Sequence, residues 1–169
     1  MRKNLLVISN AYPDKEGKTY GGVFVKERVV HIKDLFGRIV VVSPHSFGKK
    51  HMFSYTEDNV YVAFPSFMHF PIESMRKQLG NKFAASTQAV IEHHKFIFDI
   101  IHAHTIWPSG YAAMLLSKRY KIPYIVTAHG GDLYRFPFED NWKMKVTRKV
   151  LLNASHIIVV AEFMKDIIL

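Results

Sequence analysis

Cysteine is absent from the sequence, which excludes disulfide, thiolate and zinc-thiolate chemistry. Long hydrophobic runs are absent as well, since no apolar stretch approaches the ~20 residues that a membrane-spanning helix needs. The apolar run at residues 5–8 is too short for a signal peptide, and no small-residue cleavage site follows it before Pro13. We therefore expect a first strand at this position, and a cytoplasmic protein.

Nucleic-acid-binding motifs are also missing, although the chain is basic. It carries 23 Lys and Arg against 14 Asp and Glu, a net charge of +9 with neutral histidines. Such a balance favours an anionic partner. The basic residues are dispersed, however, and there is no arginine-rich arm, helix-turn-helix, zinc finger or RNA-recognition motif. We predict no nucleic-acid partner.

The G-x-G-x-x-G fingerprint of dinucleotide-binding folds is the third absence. The first loop is far longer than the tight turn of those folds, and the second predicted strand ends in Ser43-Pro44-His45, with no acid to bind a ribose. An NAD-binding function is therefore disfavoured, and we predict no cofactor.

The order of the apolar segments predicts the fold. Short runs rich in β-branched residues alternate with segments whose apolar residues recur at helical spacing. The predicted strands cover residues 5–9, 39–43, 60–64, 99–103, 123–128 and 156–161. The predicted helices cover residues 25–36 and 72–98, a segment that begins at Pro108, and residues 142–150. We predict an α/β fold: a three-layer αβα, Rossmann-like, doubly wound and mainly parallel sheet with strand order 3-2-1-4-5-6.

In this order the third strand forms one edge of the sheet and the sixth forms the other. A last helix that begins at Glu162 is too short to cover the edge beyond the sixth strand. We therefore predict a single domain over residues 1–169, with a further domain, absent from this chain, to follow it.

Ligands of doubly wound sheets bind beyond the carboxyl ends of the strands, where the strand order reverses. Here that point lies between the first and fourth strands, and the loops at residues 10–22, 104–109 and 129–138 should line it. These loops and the strand end beside them hold the most unusual residues of the chain: Tyr12, Gly21, Gly22, His102, His104, Trp107, His129, Gly130, Gly131 and Asp132. Their convergence predicts one cleft.

Gly21 and Gly22 stand where a loop becomes a helix. Free backbone amides at a helix N-terminus suit a phosphate or another anion, and glycine leaves them uncovered. The alternative is a plain turn into the helix.

Four polar residues have more than one interpretation. His102 and His104 alternate along a strand and share one side of the sheet, either as a metal pair or as one packed histidine and one facing the cleft. The imidazole of His129 could bond a hydroxyl or phosphate. Asp132 could accept from a sugar hydroxyl, act as a general base, or cap a short helical turn.

Four segments of the chain resemble glycosyltransferase family 4, which comprises retaining enzymes with two Rossmann-like domains (the GT-B fold). They are residues 6–13 with 21–25 (LVISNAYP, GGVFV), residues 99–104 (DIIHAH), residues 123–132 (PYIVTAHGGD) and residues 154–160 (ASHIIVV). They are spread from residue 6 to residue 160, so the resemblance extends over nearly the whole chain.

The resemblance implies that this chain is the acceptor-side domain, and that a C-terminal domain or subunit binds most of the nucleotide-sugar. His129 would contact the transferred sugar, with Asp132 beside it in the catalytic site. Gly21 and Gly22 would lie near the donor diphosphate or the acceptor. Acceptor-binding positions would be Tyr12, His104, Thr105, Trp107 and Gly130. The resemblance implies no metal ion.

The glutamate pair (E-x7-E) of the family's donor-binding half is missing from this chain. We therefore predict negligible sugar transfer by this chain alone.

Two segments combine cations with aromatic residues and indicate a possible contact with an anionic membrane. They are residues 45–53, and residues 67–72 with Arg76 and Lys77 after them. The resemblance implies that this region can dock on the inner membrane face in members with lipid-linked acceptors, which would make the protein peripheral. The alternative is that residues 67–72 pack as local core.

Two other functions stay open at this stage. One is a non-catalytic binding module for a phosphorylated or lipid-linked ligand or a partner subunit. The other is a metal-dependent hydrolase that uses His102, His104, His129 and Asp132.

Overall fold

The computed structural model describes residues 2–17, 21–47, 52–70 and 72–168, and these residues form a seven-stranded sheet and a two-stranded sheet. The strands are β1 (Leu5–Ser9), β2 (Ile39–Val42), β3 (His45–Ser46), β4 (Tyr55–Glu57), β5 (Val60–Ala63), β6 (Ser66–Phe67), β7 (Ile100–His104), β8 (Tyr124–Ala128) and β9 (His156–Val159). The helices are α1 (Val23–Ile32), α2 (Glu73–Arg76), α3 (Leu79–His93), α4 (Tyr111–Tyr120), α5 (Gly131–Tyr134), α6 (Asn141–Asn153) and α7 (Lys165–Ile168).

The large sheet has the order β4-β5-β2-β1-β7-β8-β9. Every pair in it is parallel except β4 with β5. The six predicted strands therefore stand in the predicted order, and the mainly parallel α/β fold is confirmed.

One detail of the predicted order is wrong, because β5 is not the edge strand. The antiparallel strand β4 pairs outside it, after a turn in which Asp58 adopts a φ of 53°. The sequence pattern did not indicate β4, because this strand is three residues long and only Tyr55 in it is buried.

The apolar strands are buried on both faces by helices. Leu6, Ile8 and Ile101 belong to one core cluster, which α3 and α4 cover. Leu5 and Val7 belong to the other, which α1 covers. This alternation along β1 is the two-residue period of a strand between two helical layers, and it gives the αβα architecture.

The predicted helix at residues 72–98 is wrong in two respects. It is interrupted after Arg76, and the chain re-enters a helix at Leu79. A Cβ on Gly80 would lie 2.5 Å from the ring of Tyr111 and 2.9 Å from that of Trp107, so α3 begins against an aromatic wall that admits only glycine. The first turn of the second helix therefore packs closely against both rings.

The same helix also ends earlier than predicted. It stops at His93, and Lys95 adopts a φ of 46°. The turn buries Phe96 and Phe98 and leaves Ile97 80% exposed.

The helix expected to begin at Pro108 begins three residues later, at Tyr111. An irregular turn, Ile106–Gly110, precedes it and contains a cis bond between Trp107 and Pro108. In the part of the chain that the structure describes, no helix has the length and apolarity to cross a bilayer.

Candidate active site

The loops that follow β1, β7 and β8 lie at one rim of the sheet. β1 pairs with β2 on one side and β7 on the other, so the strand order reverses at β1. Because these strands are parallel, their carboxyl ends share one rim. The three loops predicted to line a cleft therefore meet there, with residues 18–20 of the first loop outside the described residues.

Three histidine rings form a stack at this rim. The ring centroids of His102 and His104 lie 4.4 Å apart, and those of His104 and His129 lie 5.3 Å apart. His104 Nδ1 lies 3.0 Å from His129 Nε2, within hydrogen-bond distance. His102 Nε2 lies 2.7 Å from the hydroxyl oxygen of Thr127. We call His102, His104 and His129 the histidine stack.

Register explains why the stack forms. His104 lies opposite Thr127 in the pairing of β7 with β8. His129 lies two residues beyond Thr127, so it continues the same face of the strand past its end. The sequence predicted that His102 and His104 share a side of the sheet, whereas the bond to His129 depends on the pairing register.

The stack is uncharged at neutral pH. Burial, with a contribution from the Arg28 charge, lowers the pKa of His102 to about 4. Burial and the charges of its neighbours lower the pKa of His104 to about 2. Burial also lowers the pKa of His129, against an opposing effect from the Asp132 carboxylate. All three rings are therefore neutral donors or acceptors rather than cations.

Asp132 binds two loops together. Its Oδ1 accepts from the backbone amide of His129 at 2.9 Å, and its Oδ2 accepts from the amide of Ile106 at 2.9 Å. The Oδ2 contact therefore holds the β8 loop against the β7 loop, and the Oδ1 contact closes the β8 loop on itself. This contact supports an organising role, and a direct contact of Asp132 with substrate stays a prediction.

Asn10 connects the β1 loop to the same region. Its side-chain amide donates to the carbonyl oxygen of Trp107 at 3.0 Å, and its oxygen accepts from the hydroxyl of Ser109. Thr105 adopts a φ of 78° and a ψ of 146°, a rare conformation for a residue with a side chain. Sequence reasoning missed Ser109, which is fully buried.

Gly22 has a structural requirement of its own. It adopts a φ of 80°, and a Cβ there would lie 2.1 Å from the carbonyl oxygen of Ala11. The turn into α1 therefore demands glycine whether or not an anion binds. The first turn of α1 does reach the site, because the ring of Phe24 lies 4.5 Å from that of His129 between centroids. Phosphate binding at Gly21 and Gly22 stays a prediction.

Tyr12 and His104 do not face a cleft as the predicted acceptor positions would. Tyr12 is 3% exposed and packs in the α1-side core, beside a cavity of about 60 Å³ that it shares with Val29 and Tyr55. Ligand pockets measure roughly 300–1,000 Å³, so this space does not fit a sugar. His104 is 2% exposed, and its Nδ1 contacts His129 rather than open space.

Trp107 is half-buried in an aromatic cluster. Its ring lies 5.0 Å from Trp142, 5.4 Å from Tyr111 and 6.5 Å from Phe136, measured between centroids. The cluster fixes the turn after β7 against α4 and α6. Gly130 is buried between His129 and α5. Acceptor contacts of Thr105, Trp107 and Gly130 stay predictions.

A second space opens beside Asn10. It has a volume of about 290 Å³ and lies between the β1 and β7 loops, the small β3–β6 sheet and the start of α3. Asn10 and Pro108 form one wall, and Phe67 and His69 form another. Within the described residues, the buried Nδ1 of His69 has no hydrogen-bond partner. We call this space the Asn10 pocket; no sequence pattern indicated it, because its walls come from five distant segments.

The histidines and Asp132 do not combine as a ligand set for a metal. The facing nitrogens of His104 and His129 bond each other, and both Asp132 oxygens accept from amides. Over the described ranges, no group of three or more His, Asp or Glu side chains is arranged to hold a metal ion. This geometry disfavours the metal-dependent hydrolase.

Comparisons with known proteins agree with this arrangement. Residues 22–169 match the family model of Glycosyltransferase Family 4. A protein of Bacillus subtilis (strain 168), named as a teichuronic acid biosynthesis glycosyltransferase, TuaC, is 25% identical over 179 residues. The match covers 96% of this chain and 45% of that protein. This chain thus spans less than half the length of that curated relative.

Solved structures share the fold at low sequence identity. A sucrose-phosphate synthase from Thermosynechococcus elongatus superposes with a TM-score of 0.68 at 14% identity, covering 96% of this chain and 79% of that one. A protein described as a UDP-N-acetylglucosamine 2-epimerase from Listeria monocytogenes gives 0.54 at 11% identity, covering 99% and 42%.

Proposed function

Because the chain belongs to glycosyltransferase family 4, we propose that it forms the acceptor-side half of an enzyme that transfers a sugar from a nucleotide-sugar to an acceptor. The observation that carries the proposal is the position of His129. Its half-buried ring stands at the rim where strand order reverses, held by His104 on one side and Phe24 on the other. This is the part of the sheet where ligands of such folds bind.

The proposed role of His129 is to hydrogen-bond the sugar in transit. In the reaction the bond from the anomeric carbon to the diphosphate oxygen breaks, and a bond from that carbon to an acceptor oxygen forms. The acceptor proton passes to the departing diphosphate. Such a reaction rests on positioning and on stabilising the charge that develops. A neutral imidazole that is held in place suits the positioning of the sugar. The reaction written here requires neither a metal ion nor a protein nucleophile.

A donor-binding domain or subunit would supply the other wall of the cleft. Gly21 and Gly22 lead into α1, whose first turn contacts His129 through Phe24, and a diphosphate held by that domain would meet the rim there. The isolated chain would then bind an acceptor without transferring sugar to it.

The Asn10 pocket is our proposed place for the acceptor sugar. Its volume of about 290 Å³ suits a single ring-sized group. Its lining combines the aromatic ring of Phe67 with the polar side chains of Asn10 and His69, the pairing that suits a sugar with one apolar face and hydroxyls at its edge. The similarity to a protein named for teichuronic acid biosynthesis supports a glycan or lipid-linked glycan as the acceptor.

Exposed apolar side chains support a membrane contact at the same end of the molecule. Phe47 is 80% exposed, Met68 68% and Phe70 56%, and they flank the paired strands β3 and β6. Cations stand nearby: Lys82 donates to the carbonyl oxygen of Met68, and Arg76 lies in α2. Residues 48–51 and 71 of the two segments predicted for this contact lie outside the described residues. We call Phe47, Met68 and Phe70 the apolar rim.

A complementation assay tests the proposed function. Sugar transfer to a glycan acceptor is measured for this chain alone, and for the same chain joined to a family 4 donor-binding domain. We expect turnover only in the joined protein. Turnover by this chain alone would contradict the proposal that a second domain is needed for transfer. A joined protein that binds nucleotide-sugar but transfers no sugar would contradict the proposed function itself.

A further inference from the structure

The contact between His104 and His129 contains one proton. The two facing nitrogens lie 3.0 Å apart, and both rings are neutral at pH 7 because burial lowers both pKa values. A neutral imidazole has one N–H and one bare nitrogen. One ring therefore donates to the other, and the direction of this bond decides which nitrogen of His129 carries its proton.

The surroundings of His104 choose the direction. Its second nitrogen, Nε2, is buried and has no hydrogen-bond partner in the described part of the chain. If His129 donated, His104 would have to carry its proton on Nε2, and an N–H donor would be buried without an acceptor. Orphaned buried N–H groups are rarer in proteins than under-satisfied acceptors. An unprotonated Nε2 on His104 is therefore favoured over a protonated one. His104 then carries its proton on Nδ1.

We propose that His104 is a positioning residue that donates from Nδ1 to His129 Nε2 and so keeps the proton of His129 on its own Nδ1. The proposal rests on the proposed function for its purpose: His129 then presents an N–H donor to an oxygen of the sugar or phosphate. A ring fixed in this form cannot use its Nε2 to remove a proton from the acceptor.

The rest of the stack supports a fixed orientation. His102 lies 4.4 Å from His104 between centroids, and its Nε2 is engaged by the hydroxyl of Thr127. Two further contacts hold His129: the ring of Phe24 from α1 packs against its ring, and Oδ1 of Asp132 from α5 accepts from its backbone amide. The side chain of His104 is 2% exposed and is held through its Nδ1 contact with His129.

Ring ¹⁵N NMR of this chain, labelled at histidine, tests the proposal at pH 7.5 without any substrate. The spectra separate an N–H nitrogen from a bare one. We expect both His104 and His129 to be protonated at Nδ1 and bare at Nε2. A spectrum in which His129 is protonated at Nε2 overturns the proposal directly, before any variant is made.

The variant His104→Phe keeps a ring in the stack and removes the donor. We expect His129 to shift to the Nε2–H form that free imidazole side chains favour. His156→Phe is the matched control, since His156 is exposed on β9, and it should leave His129 unchanged. An unchanged His129 in a folded His104→Phe protein means that His104 does not set the proton; if His104→Phe fails to fold, the wild-type spectrum decides alone.

The outcome is independent of whether the protein transfers sugar. If the spectra agree with the proposal but His129→Ala leaves turnover intact in a joined enzyme, the function assigned to His129 fails and the positioning by His104 stands. If His129→Ala abolishes turnover but His129 is protonated at Nε2, the function stands and the positioning fails.

Discussion

His102, His104 and His129 form a line of neutral rings from inside the sheet to its rim. Burying a titratable group in its neutral form links the folded state to pH, because the unfolded chain binds protons that the folded chain does not. The free-energy cost of burying these neutral histidines can therefore be measured from the pH dependence of unfolding.

Acid should destabilise the protein through these histidines. Their ordinary pKa is about 6.5, whereas burial lowers it to about 4 for His102 and about 2 for His104. Below about pH 6.5 the unfolded state therefore binds more protons than the folded state. The free energy of unfolding is highest above that pH. It declines as the pH falls, down to about pH 4 through His102 and to lower pH through His104. Each histidine contributes up to about 1.4 kcal/mol per pH unit within its window.

Denaturant unfolding of the wild type and His104→Phe between pH 7.5 and 4.5 checks this prediction. Carboxylates titrate alike in both proteins, so the difference in slope belongs to His104. We expect a shallower pH dependence in the variant. Parallel curves would show that His104 takes up its proton without unfolding.

At the scale of elements, Asp132 joins the loops after β7 and β8. Asparagine has only one acceptor oxygen, so Asp132→Asn must abandon the amide of either Ile106 or His129. We expect a loss of about 1–3 kcal/mol in the free energy of unfolding, the usual cost of an unsatisfied buried polar group.

Amide hydrogen exchange at Ile106 and His129 should also accelerate in Asp132→Asn. Asp34→Asn is the control, because Asp34 is exposed in the short turn after α1, and surface substitutions usually change stability by less than about 0.5 kcal/mol. Unchanged exchange at both amides would remove Asp132 as the link between the loops.

The element order could be predicted because strands buried on both faces leave an apolar signal and the connections follow a known handedness. What escaped prediction depends on contacts between distant segments. The break before α3 arises where Gly80 meets Trp107 and Tyr111, and the short strand β4 forms only because β5 offers an edge.

The site shows the same limit. The meeting of three loops followed from strand order alone, and His129 stands where that reasoning put it. Tyr12 was expected in the cleft because it lies in the first loop, at residues 10–22, yet its side chain packs in the core beneath α1. The direction of a loop side chain is set by packing, which no local pattern encodes.

At the scale of the whole molecule, a net charge of +9 accompanies the apolar rim. Basic residues near an anionic bilayer contribute about 1 kcal/mol each, and inserted aromatic side chains add burial. We expect this chain to sediment with phosphatidylglycerol-rich vesicles at moderate salt and not with neutral ones.

Phe47→Ser should weaken that binding several-fold, whereas Leu152→Ser should not. The two side chains are matched, since each is 80% exposed, but Leu152 lies on α6, away from the β3–β6 sheet. Equal vesicle binding by the two variants would show that the apolar rim does not contribute to membrane binding. If the wild-type chain does not sediment with the vesicles, the membrane proposal is wrong.

Sugar transfer by His129→Ala, in a protein that joins this chain to a donor-binding domain, is the most direct test of the central claim. If His129 contacts the sugar as it moves, turnover should fall by about 100-fold, the scale of one transition-state hydrogen bond, while His156→Ala stays near wild type. Turnover unchanged in a folded His129→Ala protein would contradict the account.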